Sequence, residues 1–258
     1  MSRWTDAHRR ISLSQLAAAE VLRICTTPVV WTLLIGGVAL AVLTMATGIT
    51  TAVQAGTPLV SRDGLRLIFA SAVSAWIFSM ALGVLGMAGE YRHRTASATF
   101  LAEPLRWRVF VAKVMAHGLF GLVFGLVTGA ATLGIGWVWL RALGAHLALT
   151  RELWLILGGA LIATALYAML GVGIGALVRS QVGAVAAVLG WSLIEASILG
   201  NLWPEGQRYF PNAAASALTP TPGADVLSVG MGELLFGGYV LAFLLLGLQS
   251  VRRRDVPG

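Results

Sequence analysis

Charge is scarce in this chain. Asp, Glu, Lys and Arg make up 11% of its 258 residues, where a soluble domain carries about 25%. So few charges cannot cover a wetted surface, which excludes an ordinary water-soluble globule. Lysine is scarcer still: of 18 basic residues only Lys113 is a lysine. The phosphate-binding loop of an ATPase needs a Gly-Lys pair to bring an amine to the phosphates. Lys113 follows Ala112, so that loop is absent. Gly171, Gly173 and Gly175 do not form a dinucleotide fingerprint and have no βαβ context. A single cysteine, Cys25, excludes an intrachain disulfide. His8, His93, His117 and His146 lack metal-ligand spacing. No paired Asp, Ser–His or His-Glu-x-x-His arrangement on the apolar runs would serve proteolysis. No catalytic residue, cofactor or metal is therefore expected in this chain.

What is abundant is apolar: 57% of the residues are hydrophobic and the mean hydropathy is +0.82. Runs of 18 or more mostly apolar residues recur, the signature of membrane helices. Six spans are expected, at Val29–Gly48, Leu65–Ala88, Val114–Leu140, Leu153–Val178, Val182–Leu199 and Met231–Val251. Pro28 suits the start of the first. Gly121, Gly125 and Gly129 form a small-xxx-small stripe on the third, which permits close helix contact.

Residues 1–27 are amphipathic, with Ile11, Leu16, Ala19 and Leu22 at roughly helical spacing and Arg9, Arg10 and Arg23 among them. They read as a helix lying in the membrane interface, not as a cleaved signal peptide. Ser12 or Ser14 would cap it. The expected fold is an all-α membrane protein: one transmembrane domain over 1–258, with an interfacial helix at 1–27, a six-helix membrane domain at 29–251 and a tail at 252–258.

A net charge of +7 would fit nucleic acid, but the basic residues sit in short segments between spans, where the positive-inside rule expects them. With both ends on one side, that side holds 13 Lys and Arg and the other holds five, Arg62, Arg66, Arg141, Arg151 and Arg208. The split puts both termini in the cytoplasm and supports an even number of spans, since five would put Arg252, Arg253 and Arg254 outside.

The densest polar segment is Glu90 to Lys113, between the second and third spans. It carries Arg92, Arg94, Arg106, Arg108 and Lys113 with Glu90 and Glu103. Positive charge there would bind anionic lipid, and Lys113 reads as a snorkelling side chain. A lipid anchor gains nothing from carboxylates, however. Mixed charge on a short segment suits docking to a protein surface.

The order Glu90, Arg92, Thr95, Leu101, Pro104, Arg106, Lys113 resembles the cytoplasmic loop of ABC-2-type transporter permeases, the membrane subunits of ATP-driven exporters. Further likenesses are Glu20 shortly before the first span, the Gly-rich hairpin ending at Arg179, Tyr209–Phe210–Pro211–Asn212 before the last span, and the tail Arg254–Asp255. The resemblance implies that Glu90, Arg92, Arg94, Thr95, Pro104 and Arg106 couple the chain to a separate ABC ATPase subunit, which would bind ATP and Mg. It also implies a second permease subunit, alike or related, in the plasma membrane. By the same resemblance the second and fifth spans line the path. Its candidate residues are Ser71 and Ser74 on the second span and Trp191, Ser192 and Glu195 on the fifth.

Glu195 is the one acidic residue well inside a span, where a carboxyl is costly and faces either a cavity, a partner or nearby water. The span serines either contact substrate or bond back to their own helices. The resemblance also implies that residues 201–229 dip back into the outer leaflet before the last span, and apolar Ala213–Leu218 suits such a half-buried element. The apolar, aromatic-bearing spans favour a lipophilic drug, lipid or peptide as substrate. The competing expectation is a non-transporting membrane assembly or sensor protein, with the island docking its partner.

Overall fold

The computed structural model describes residues 12–92, 105–178, 180–195, 202–203, 206, 208–219 and 227–253. Among the described residues the chain is all-helical. Five stretches are long and apolar enough to cross a membrane: Pro28–Gln54, Arg62–Gly89, Arg106–Ala142, Arg151–Val178 and Val229–Arg253. That is the character of a multi-pass membrane protein.

Helix α1 spans Leu13–Thr26 and opens with a reciprocal capping box between Ser12 and Gln15. It stops where Thr27 turns extended, one residue before Pro28 starts α2, Pro28–Gln54. Ile24 and Val21 of α1 pack on Leu82, Ala116 and Phe120 of later helices.

The second apolar stretch is not one regular helix. Helix α3 (Arg62–Phe69) passes through a 3-10 segment, Ala70–Ala75, into α4 (Trp76–Arg92). Tightening the coil in mid-helix brings residues three apart into register and leaves carbonyls open to outside donors. Ser71 accordingly donates to Ile68 O at 2.6 Å, and Thr128 reaches Ala72 O at 3.4 Å.

Helix α5 runs over 37 residues, Arg106–Ala142, and so starts inside the basic island. It turns back through Gly144, whose φ of +77° favours glycine. Helix α6 is Arg151–Val178, α7 is Gln181–Ile194, α8 is the short Pro211–Ser216, and α9 is Val229–Arg253. The described helix α7 has 14 residues, about 21 Å at about 1.5 Å per residue. That is short of the roughly 30 Å hydrocarbon core, so among the described residues it does not by itself make the sixth span expected at Val182–Leu199.

Helix α6 is the hub. A Cβ on Gly83 would strike Ala168 O, one on Gly171 would strike Met80 O, and one on Gly121 would lie 2.6 Å from Ala165 Cα. These positions let α4 and α5 approach α6 backbone to backbone. With little hydrophobic drive between helices in lipid, such contact is what holds them. Ser79 adds an interhelical bond to Thr164 O at 2.7 Å.

The two ends of the bundle are held by charge. At one end Glu152 of α6 meets Arg66 at 2.6 Å and Arg62 at 3.2 Å. At the other, Arg106 donates to Val251 O at 3.5 Å and Lys113 meets Glu20 at 2.8 Å. Lys113 does not snorkel: its side chain is 0% exposed. Glu20 of α1 supplies the charge that makes this burial tolerable.

Candidate functional site

A cavity of about 430 Å³ lies among α4, α6, α7 and α9, with the start of α8 closing it. That volume is within the roughly 300–1,000 Å³ range of drug-sized ligand sites. Trp76 and Met80 come from α4, Tyr167 and Leu170 from α6, Val188 from α7, and Tyr239 and Phe243 from α9. Trp76 and Tyr167 stack with ring centroids 4.7 Å apart, and Tyr167 packs at 4.7 Å on Phe236 behind it. The rings wall the cavity because helical spacing repeats them on inward faces: Tyr239 and Phe243 are four apart on α9.

The roof is the segment Phe210–Asn212. Pro211 sits in the first turn of α8, where its missing N–H costs nothing. The next two amides, Asn212 N and Ala213 N, donate to Glu195 Oε1 at 2.9 and 3.1 Å. A carboxyl at a helix N-terminus satisfies donors that have no partner within the helix. The Asn212 side chain accepts from Tyr167 Oη at 3.1 Å, and Tyr239 Oη donates to Tyr209 O at 3.0 Å. Four bonds thus fix the roof to α6, α9 and Glu195.

Glu195 is 2% exposed, so it is not a wet residue at the rim; it joins α7 to α8. Beyond the roof, α8 runs toward the Glu152 end. A Cβ on Gly232 would strike Ala217, and one on Gly159 would strike Leu218 O. Residues 208–219 are therefore threaded between α6 and α9.

The other path candidates have different surroundings. Ser71 is 6% exposed and bonds within its own turn. Ser74 accepts from Thr44 of α2 at 3.0 Å. Neither lines the cavity. Trp191 and Ser192 belong to α7, but their side chains lie outside the described residues, as do those of Glu90 and Arg92. Arg94, Thr95 and Pro104 lie wholly outside them. Arg106, at the N-terminus of α5, is the coupling candidate whose side chain is described.

Tyr167, Tyr239 and Phe243 were not singled out as path residues in the sequence. An isolated aromatic in an apolar run has the same pattern whether it faces a core, lipid or a cavity. Asn212 entered only as part of the Tyr209–Phe210–Pro211–Asn212 run that resembles the family's.

A second, more polar recess of about 340 Å³ lies at the opposite end from Glu152, lined by Glu20, Arg23, Leu85, Gly86 and His117 among others. His117 Nδ1 is 2.8 Å from Lys113 O.

No protein-family model matches this chain, and no curated protein matches it. The class defined by the helices is a multi-pass helical membrane protein, and the aromatic-walled cavity with its hydrogen-bonded roof is its most site-like feature among the described residues.

Proposed function

We propose that this chain is the permease subunit of an ATP-driven exporter of the ABC-2 type, moving a lipophilic drug, lipid or peptide. In this reading it has six spans, both ends in the cytoplasm of a cell whose plasma membrane it occupies, and a second permease subunit beside it. A separate ABC ATPase binds ATP and Mg. The observation that carries the proposal is the mixed-charge island between the second and third apolar helices, with its family-like residue order. What supports it further is mechanical. The island runs at Arg106 directly into α5, and α5 is ion-paired to α1 through Lys113 and packed backbone-close on α6 through Gly121. A push on the island would move α5 and, through α6, the wall that holds Tyr167.

The test is copurification with an ABC ATPase from a neighbouring reading frame, followed by Glu90→Ala and by Arg92→Ala with Arg94→Ala. Coupling energies between sites are about 1–3 kcal/mol, so losing about 1.4 kcal/mol weakens coupling roughly tenfold. The expected result is an inserted complex whose ATPase no longer responds to substrate, or one that sheds its ATPase in detergent. Unaltered transport in both variants removes the coupling role. An island that retains a partner while the chain transports nothing selects the assembly or sensor reading. A modest loss that follows anionic-lipid content, with Glu90→Ala silent, selects lipid anchoring.

A further inference from the structure

We propose that the cavity beneath α8 binds a lipophilic monovalent cation, a molecule with an apolar body and one quaternary or protonated onium centre. The inference rests on the exporter reading only in treating that molecule as cargo. The chemistry is in the wall. Five of the fourteen lining residues are aromatic: Trp76, Tyr167, Phe210, Tyr239 and Phe243. Ring faces are negative, and they hold a cation most strongly when water is excluded. Among the described residues no Lys or Arg lines the cavity; Arg208 lies outside it, over the Tyr209 ring at 5.2 Å. Glu195 brings an acidic group to the roof, its carboxyl oxygen 2.9 Å from the backbone nitrogen of the lining residue Asn212.

An acyl chain would be served equally well by aliphatic side chains and would not need the stacked Trp76–Tyr167 pair. An organic anion would face the rings' negative side with no base to receive it. A small inorganic cation would need several oxygen ligands, whereas the lining carries only two phenols and one amide.

The test uses the full chain in phosphatidylcholine nanodiscs without any ATPase, so it reads binding apart from transport. Tritiated tetraphenylphosphonium is titrated, and tritiated tetraphenylborate, of the same shape and opposite charge, is titrated in a separate sample because the two ions pair in water. Saturable binding of one phosphonium per chain is expected, and no saturable binding of borate. Trp76→Leu and Phe243→Leu should each weaken phosphonium binding about tenfold, as the loss of a cation–ring contact predicts. Trp137→Leu, at an exposed tryptophan outside the cavity, should leave binding unchanged and so separates the site from partition into lipid. Elution volume and melting temperature verify each variant's fold; if Trp76→Leu misfolds, Phe243→Leu and the borate titration still decide. The proposal is overturned by non-saturable phosphonium uptake, by equally tight saturable binding of borate, by equal loss in Trp137→Leu, or by a copurifying phospholipid that fills the site and excludes the phosphonium. Phosphonium binding by a chain that recruits no ATPase would leave the cation site standing and fail the exporter reading. Transport of a neutral lipid with no phosphonium bound would do the reverse.

Discussion

Lys113 and Glu20 show how a single residue's setting depends on a partner 93 positions away. In sequence, Lys113 is a base at the edge of an apolar run, which is the usual pattern of a snorkelling side chain. In the folded chain it is fully buried, its ammonium 2.8 Å from Glu20 and 3.4 Å from Gly86 O. A buried pair loses more when halved than when replaced whole, because the survivor is left charged: about 3–5 kcal/mol for one partner removed. Glu20→Leu and Lys113→Met should therefore each lower the melting temperature in detergent more than the double variant Glu20→Leu with Lys113→Met does. Additive losses in this double-mutant cycle would mean that the pair contributes no coupling. Glu195 gives a second residue-scale expectation. Glu195→Gln keeps an oxygen for Asn212 N and Ala213 N, so stability should hold. Glu195→Leu leaves those amides without that acceptor and should cost about 1–3 kcal/mol for each one left unpaired. If transport falls in Glu195→Gln while its melting temperature is unchanged, the charge itself acts in transport. The need for a partner at Glu195 was legible, since a carboxyl deep in an apolar run must be satisfied. Its partners were not, because backbone amides carry no sequence signal.

At the scale of elements, the apolar runs and the proline and glycine signals carried most of the information. Pro28 lies at the start of α2, and Gly121 and Gly125 face α6 closely enough that a Cβ would crowd Ala165 and Leu161. The third member of that stripe behaves differently: a Cβ on Gly129 would meet only Leu157 at 3.7 Å, an ordinary contact. Spacing alone could not separate the three, because the distance between α5 and α6 grows along their length. Gly83 and Gly171 were not read as contact positions at all, yet they touch carbonyls across the α4–α6 seam. Gly83→Ala and Gly171→Ala should each destabilise by about 1–3 kcal/mol, the usual cost of forcing atoms into a filled interface. Gly129→Ala should be neutral or slightly stabilising, since alanine is the better helix former by about 1 kcal/mol. Thermal unfolding of the three variants in one detergent checks this; equal melting temperatures would mean the seam relaxes freely. Two element-scale features had no legible precursor. The 3-10 segment Ala70–Ala75 reads as ordinary helix, because its alanines, serines and valine fit the apolar helical pattern on either side. The start of α5 at Arg106 was hidden by charges that look like loop.

For the whole molecule the open quantity is the number of crossings, and it turns on α7 and the chain between it and α9. Arg106 and Lys113, two of the described residues that the positive-inside count assigns to one side, lie at one end of the bundle. Arg106 bonds to Val251 O near the tail, Ser250 donates to Ala176 O close to the α6–α7 turn, and Lys113 holds α1. Arg62, Arg66 and Glu152 form the opposite end. From that first end α7 climbs about 21 Å to Glu195, which is level with Tyr167 near the middle of α6. The described chain resumes at mid-depth, with Tyr209 bonded to Tyr239, and α8 carries it on to Gly159 and Gly232 on the Glu152 side. In the proposed topology α7 and the threaded segment 208–219 would share a crossing, which would give the even count that the 13-to-5 charge asymmetry favours. Single cysteines at Val60, Ala145, Gln207 and Ser97, in a Cys25→Ser background that removes the exposed native thiol, test it with an impermeant thiol reagent on intact cells. Val60→Cys and Ala145→Cys should react and Ser97→Cys should not. Gln207→Cys decides the count, and labelling from outside is expected. If it reacts only after the cells are opened, then α7 turns back without crossing, the loop after it is cytoplasmic, and the basic tail lies on the far side of the membrane from the island.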